Sequence, residues 1–480
     1  MSLFLLIVII LFFFLLLSIG LFFSKRIYSN DDFAVSDRHV SSIVLAGTLS
    51  ATVLGSVNTL GVYEKAYGPF GLSATWYIFA MVIAFLIMTI IAPKIRKLEL
   101  KTVSEFFRRR YGKTVGLVVA VFMIFPLIAL TLVQFIAGAK ILLIILNVDY
   151  KIALTIIAFV VITYTALGGL KGLVASDTLQ FIIIFVGFLL VIPYSFRMSS
   201  NFSTAVCNVP LSKINFFQGI SISTIIALII MFIANFTVGQ EISSKYFSIK
   251  HSYHVSKAFI ITGFVLFVFA FFPSLLGIVT LALERMGRID GSIIFVDGIK
   301  YGLPNFVFNY MPSFIIVSLF VALLAATMSS ADSLIFSIGV IFANDIYRIY
   351  INKDAKDLET IKVSRIFIVI GGVVAYVLAI FCKASLIKVF IFAISLRAAG
   401  IFFPYVLGLV WKKASIIGVF ASLLFGSASY ALLAIKNIFI LGLEPILIAL
   451  FISLVAFILF SKFFPPEVES VELSVENYYL

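Results

Sequence analysis

Three short stretches hold residues whose types and spacing could do chemistry. Ala325–Ser333 reads AATMSSADS. Ala326, Ser329 and Ser330 stand at i, i+3 and i+4 and share one helix face. Two adjacent hydroxyls beside a backbone carbonyl are the wrong donors for a soft metal but suit a hard cation, which takes oxygen ligands. Taken alone, the same serines also read as ordinary glue, bonding to their own helix or to a neighbour. Thr165–Gln180 reads TALGGLKGLVASDTLQ. Gly168 and Gly169 mark a tight turn, and Asp177 follows inside an apolar segment beside Ser176, Thr178 and Gln180. A carboxylate at membrane depth is costly and functional by default; the alternative is a structural pair with a nearby Lys or Arg. Ala46–Gly71 reads AGTLSATVLGSVNTLGVYEKAYGPFG. It is apolar enough to enter a membrane. Yet Thr48, Ser50, Thr52, Ser56, Asn58 and Thr59 give it polar side chains, and five glycines allow the backbone to break. Irregular backbone at membrane depth is tolerated where it lines a cavity, and such broken helices build sites in secondary transporters.

The elements that must position these residues follow from composition. The chain has 480 residues, 62% hydrophobic and 12% charged, with a mean hydropathy of +1.20. That excludes a soluble globular protein and requires an all-α membrane protein of many spans. Apolar segments bounded by charges or turn residues predict thirteen spans: 2–23, 41–63, 73–92, 115–145, 150–167, 172–194, 217–240, 256–283, 313–343, 363–382, 385–410, 414–435 and 440–462. The N-terminal run has no basic n-region and is too long for a signal peptide, so it reads as a retained first span. Most of the 35 Lys and Arg then fall in alternate loops. The positive-inside rule makes those loops cytoplasmic, with the N-terminus outside and the C-terminus inside a cell membrane.

The same rule accounts for the net charge of +13 without a nucleic-acid partner. No Walker-type phosphate loop is present, which argues against an ATP-driven pump. Cys207 and Cys382 lack metal-ligand spacing, and the His251/His254 pair reads as a solvated loop. Nothing places a nucleophile beside a base, so the chain is not expected to be an enzyme and needs no cofactor. Residues 284–312 form a long outer loop in which a short lid helix is expected. The segment after Pro465–Pro466 reads as an acidic tail.

The Gly168–Gly169 turn, the small-residue run after it, Ser176-Asp177-Thr178 and Gln180 resemble the signature of the sodium:solute symporters. The resemblance covers roughly residues 35 to 410. It implies a LeuT-type fold: a core of two inverted five-helix repeats over 41–410, an extra N-terminal span and loop over 1–40, two further spans over 411–463 and a tail over 464–480. It implies sodium as the coupling ion, held by the carbonyls of Ala46 and Leu49, the carbonyl of Ala326, and the hydroxyls of Ser329 and Ser330. Asp177 matches a carboxylate on the cytoplasmic side of that site. Helix breaks free carbonyls that bind a cation without burying a full anion.

Departures from the family pattern are informative. Asp332 stands where proline and sugar carriers have a small polar residue. It has three readings: a second cation, a proton, or pairing with a base. Arg397 lies well inside a predicted span, and its fork matches a carboxylate. One reading makes it the anchor of a carboxylate solute; the other pairs it with Asp332 or Asp177. Thr52, Val53 and Ser56 on the broken helix and Gln134 on a long later span are the remaining solute candidates, and Thr52 and Val53 argue against a sugar. Asn235, Gln240 and Glu241 resemble a polar segment at the cytoplasmic end of a helix, with Lys245 where the motif usually has Arg.

The expected function is sodium-coupled symport of a small organic solute, carboxylate or amino acid rather than sugar, by alternating access across the lipid bilayer. The alternatives are a proton-coupled carrier of the same fold, with uptake that persists without sodium, and a channel, with currents beyond carrier turnover.

Overall fold

The computed structural model describes residues 3–200, 202–294 and 302–466. The expected acidic tail beyond Pro466 lies outside them. The described chain is helical, with no sheet among the described residues beyond two isolated bridges. Ten helices among them are long and apolar enough to cross a membrane, or up to twelve spans when each of two bent helix pairs is counted as one.

Sixteen helices among the described residues build the bundle and position its site. These are α1 (Leu3–Ser24), α2 (Ser42–Val53), α3 (Val57–Tyr67), α4 (Trp76–Arg96), α5 (Val103–Tyr111), α6 (Lys113–Leu146), α7 (Tyr150–Met198) and α8 (Ile222–Val238). They continue as α9 (Gln240–Phe247), α10 (Ser252–Phe269), α11 (Phe271–Arg285), α12 (Ser313–Ile341), α13 (Asp357–Phe381), α14 (Leu386–Val410), α15 (Ile416–Ile435) and α16 (Pro445–Phe463). Helix entries carry the local signals expected of them. Ser41, Thr102 and Ser221 cap α2, α5 and α8, each accepting a backbone N–H from the first turn.

Burial sorts the helices. α12 is the axial element, and every residue from Leu319 to Ile341 is buried. A helix buried on every face belongs inside a bundle, and the polar residues of α12 must find their partners there. Its neighbours are α6, α7, α13 and the broken helix. α1 lies on the periphery against α7, with Phe4, Phe14 and Leu21 turned outward. Those side chains face lipid, which is as apolar as they are.

Three breaks interrupt the helices. α2 and α3 meet at 65° across Leu54–Ser56, and α8 and α9 meet at 54° at Gly239. The predicted span 41–63 is therefore a broken helix, as its glycines suggested, while the predicted span 217–240 ends in a bend that the sequence pattern does not signal. The third break is within α7, where Gly169 has φ +55°. A side chain there would strain the backbone and strike the ring of Phe33, so the Gly168–Gly169 turn needs a glycine at its second position. Helix Gly302–Tyr310 lies within residues 284–312, where a short helix was expected. Both cysteines are free thiols.

Candidate functional site

The site is built where the α2/α3 break meets α12. The last-turn carbonyls of a helix have no intrahelical N–H partner, and the break at Leu54–Ser56 leaves those of Ala51 and Thr52 facing α12. Ser329 Oγ donates to Ala51 O at 3.0 Å, and Ser330 Oγ donates to Thr52 O at 2.7 Å. Both hydroxyls also lie within reach of Ala326 O, at 3.3 and 3.2 Å. Two hydroxyls and three carbonyl oxygens therefore converge, all from buried residues. The chemistry of that set is hard-oxygen coordination without a full negative charge.

Gly55 makes the approach possible. A Cβ there would collide with Ser330 Oγ and come 3.1 Å from the Gln134 amide. Gln134 in turn closes the far side of the break: its Oε1 accepts from Ser56 N at 3.1 Å and from Ser56 Oγ at 2.9 Å.

The expected ligands divide accordingly. Ala326, Ser329 and Ser330 come together as anticipated from their spacing. Ala46 and Leu49 do not join them. Both sit inside the regular part of α2, and Ala46 O accepts the hydroxyls of Ser50 at 2.7 Å and Thr262 at 3.4 Å. The break lies later in the chain than the resemblance placed it, and the carbonyls that meet the serines are those of Ala51 and Thr52.

Asp177 is fully buried, and so is its partner, Lys245 on α9. Lys245 Nζ lies 2.6 Å from Asp177 Oδ2 and 3.2 Å from Thr48 O, and it also reaches the Thr52 hydroxyl. Thr48 Oγ1 donates to the same carboxylate oxygen. Lys245 was expected in a cytoplasmic loop. It is instead a buried cation set against Thr48 and Thr52 on α2, because the bend at Gly239 carries α9 inward. Asp332 pairs with no base among the described residues. It accepts from Tyr164 OH at 2.8 Å and from Ser333 Oγ at 3.1 Å.

Arg397 pairs with neither Asp332 nor Asp177. Its fork is bidentate on Glu241, at 2.6 and 2.9 Å, and it donates to Asn235 Oδ1 at 2.5 Å. The guanidinium is fully buried, and its fork is taken up by a protein carboxylate. Asn235 and Glu241 flank the bend at Gly239, so the second break is tied to α14 by this cluster. Only the polar character of the Asn235–Glu241 segment was visible in sequence.

A cavity of about 50 Å³ lies between the two breaks. Thr52, Asn58, Gln134, Asn235, Glu241 and Ser330 supply its polar atoms. Val53, with Phe232, Phe236 and Phe390, supplies apolar wall. Ser56 lines a second cavity that also touches Val57, on the side of Glu64 and Lys140. The central volume holds a few waters but not an organic solute, so solute entry needs the breaks to open.

Broken helices meeting around a buried polar cavity inside a multispan bundle define a secondary transporter. The comparisons agree. The model of the sodium:solute symporter family matches residues 33–426, and the chain belongs to that family. It is 24% identical to the sodium/pantothenate symporter of Escherichia coli (strain K12), with 90% of each chain covered. It is 24% identical to the sodium/sialic acid symporter SiaT of Proteus mirabilis (strain HI4320) over 85% of this chain and 86% of that one. It is 25% identical to the high-affinity proline transporter PutP of Bacillus subtilis (strain 168), over 86% and 88%.

Among solved structures, the outward-open state of a Na+-coupled sialic acid symporter superposes with a TM-score of 0.83. That match has 20% identity and covers 97% of this chain and 99% of that one. The inward-facing conformation of Mhp1 superposes with a TM-score of 0.55 at 13% identity, over 92% and 95%. The fold is the LeuT type anticipated from the signature around Asp177. The chain is a membrane transporter and not an enzyme.

Proposed function

We propose that this chain carries a small organic solute into the cell together with sodium, by alternating access. The observation that carries the reading is the reach of Ser329 and Ser330 to the last-turn carbonyls of α2, at 3.0 and 2.7 Å. A sodium ion there is held by Ala51 O, Thr52 O and Ala326 O with the two serine hydroxyls. It joins α12 to the broken helix, and its departure frees the two to part. A unit charge moving down about 100 mV contributes about 2.3 kcal/mol to the cycle.

The buried Asp177–Lys245 pair lies beside this site, against Thr48 and Thr52, and sodium leaving on that side passes it. Counting α7 as two spans divided at Gly169 brings the total to thirteen, with the N-terminus outside and the C-terminus cytoplasmic. In that arrangement residues 41–410 form the transporting core, and 1–40 and 411–463 are additions to it.

The solute is an amino acid or another small carboxylate in preference to a sugar. Proline and pantothenate, named for two of the relatives above, bear a carboxylate and are not sugars, and sialic acid, named for the third, bears one on a sugar frame. Arg397 is not its anchor, because its fork is held by Glu241. The donors that face the cavity are the amides of Gln134, Asn58 and Asn235 and the hydroxyls of Thr52 and Ser330. They grip the polar end, and the Phe rings and Val53 take the apolar body.

The test is uptake into proteoliposomes from a panel of amino acids, other carboxylates, sugars and a quaternary amine, with and without a sodium gradient. Sodium-driven uptake that is abolished by Ser329→Ala supports the reading. Sodium dependence retained in that variant, or uptake collapsed by a proton ionophore alone, overturns it.

A further inference from the structure

We infer that a cavity at the N-terminal end of α2 binds the phosphate of an anionic phospholipid headgroup. The cavity, about 350 Å³, lies apart from the transport site, where the N-terminus of α2 meets the start of α10. Arg38, His39, Lys250, His254 and Lys257 line it, and no acidic residue does. Arg38 is partly neutralised by Glu99 at 3.1 Å. Lys250, Lys257 and the two histidines lie open to the surface. Basic pockets of this kind between membrane helices take lipid headgroups.

Two further observations mark a built site and not a diffuse patch. α2 is twelve residues long, and its first-turn N–H groups point at the cavity end, where a helix favours an anion. Ser42, which lines the cavity, is 7% exposed, and its Oγ has no hydrogen-bond partner among the described residues. A buried hydroxyl without a partner is costly, and a phosphate oxygen in the cavity would satisfy it. The backbone holds the two walls in place: Val40 N donates to Ser248 O at 3.2 Å, and His39 bridges to Ile249.

The surroundings choose a lipid over free phosphate. α2 and α10 both belong to membrane-spanning segments, so their ends lie at the bilayer surface. Ile43, also on the cavity wall, is 72% exposed, and Tyr253 is 75% exposed. An exposed isoleucine and an interfacial tyrosine beside the cations suit acyl chain and headgroup together. A headgroup bound here would tie the end of the broken helix to α10 and so bias the carrier's opening.

The test is native mass spectrometry of the full chain in detergent with added phosphatidylglycerol or phosphatidylcholine. The wild type is expected to retain phosphatidylglycerol preferentially. Ser42→Ala, with an unchanged melting temperature, should lower retention about threefold, and the pair Lys250→Gln/Lys257→Gln about tenfold or more. The exposed control pair Lys353→Gln/Lys362→Gln should leave it unchanged. Equal loss in the control pair would reduce the effect to general attraction and overturn the site. So would unaltered retention in both cavity variants. Inorganic phosphate that binds the wild type and displaces phosphatidylglycerol completely would overturn the choice of a lipid.

Discussion

Lys245 Nζ sits 2.6 Å from Asp177 Oδ2, and neither side chain is exposed to solvent. An ammonium and a carboxylate buried together are each other's main compensation, since the loss of water around both is large. Removal of one partner strands the other. Lys245→Met or Asp177→Asn alone is expected to cost about 3–5 kcal/mol, read as a large drop in the melting temperature of the purified protein. The double variant should lose much less than the sum of the singles. Strictly additive losses would mean that the two charges do not depend on one another.

Gly55 is where the break and the proposed sodium site share an atom's worth of space. A methyl group at this position meets Ser330 Oγ and the Gln134 amide. Gly55→Ala should therefore push Ser330 from the carbonyl of Thr52 while the remaining helices hold. Sodium binding is expected to weaken by about tenfold or more, equivalent to the loss of one or two good contacts. Sodium-induced stabilisation supplies the readout, since a ligand bound only by the folded state raises the melting temperature with its concentration. An unchanged sodium titration in Gly55→Ala would remove this site from the mechanism.

The sequence was most legible where local rules decide. The glycine turn at Gly168–Gly169, the shared face of Ala326, Ser329 and Ser330, and the break within Ala46–Gly71 all follow from spacing within one element. The carbonyls of Ala46 and Leu49 came from the resemblance alone, which does not say which turn of the helix ends first; the close approach of Gly55 to Ser330 Oγ leaves those of Ala51 and Thr52 facing α12 instead. The buried ion pairs were hidden for another reason. Asp177 and Lys245 are 68 residues apart, and Glu241 and Arg397 are 156 apart. A lysine near the end of an apolar run looks like a loop charge until the bend at Gly239 turns it inward.

Outside the spans, Asp32 ties the segment after α1 to the start of the second half of α7. Burial alone would raise its pKa. A proton held by the neighbouring Asp37, whose own pKa is raised, the Lys171 ammonium and the Tyr28 N–H at 3.0 Å together outweigh that and bring it to about 2 from an ordinary 3.8. A carboxylate whose pKa is depressed on folding stabilises fully above its unfolded value and loses the effect as pH falls through the folded one. Asp37 works in the opposite sense, because Asp32 raises its pKa, so the advantage of wild type over Asp32→Asn in melting temperature is read from about pH 4 downward, where the Asp32 share begins to fall. It should then shrink between there and about pH 2. A gap that widens between about pH 4 and pH 2 would contradict the assignment.

Arg397 offers the sharpest discrimination about the solute. Glu241 lines the central cavity and Arg397 holds it through two parallel hydrogen bonds, with Asn235 accepting a third. The guanidinium thus acts on the cavity through Glu241 and Asn235, the residues either side of the Gly239 bend. Lys cannot reproduce a planar fork, so Arg397→Lys should loosen that bend and lower uptake of every transported solute by the same factor. Glu241→Gln should do likewise, because it leaves a buried guanidinium without its counter-charge. Were Arg397 in contact with a solute carboxylate, Arg397→Lys would instead spare uncharged solutes and penalise acids alone. Parallel concentration curves for an acid and an uncharged solute on both variants separate the two outcomes. A loss confined to acids in Arg397→Lys, with Glu241→Gln unaffected, would return the fork to the solute.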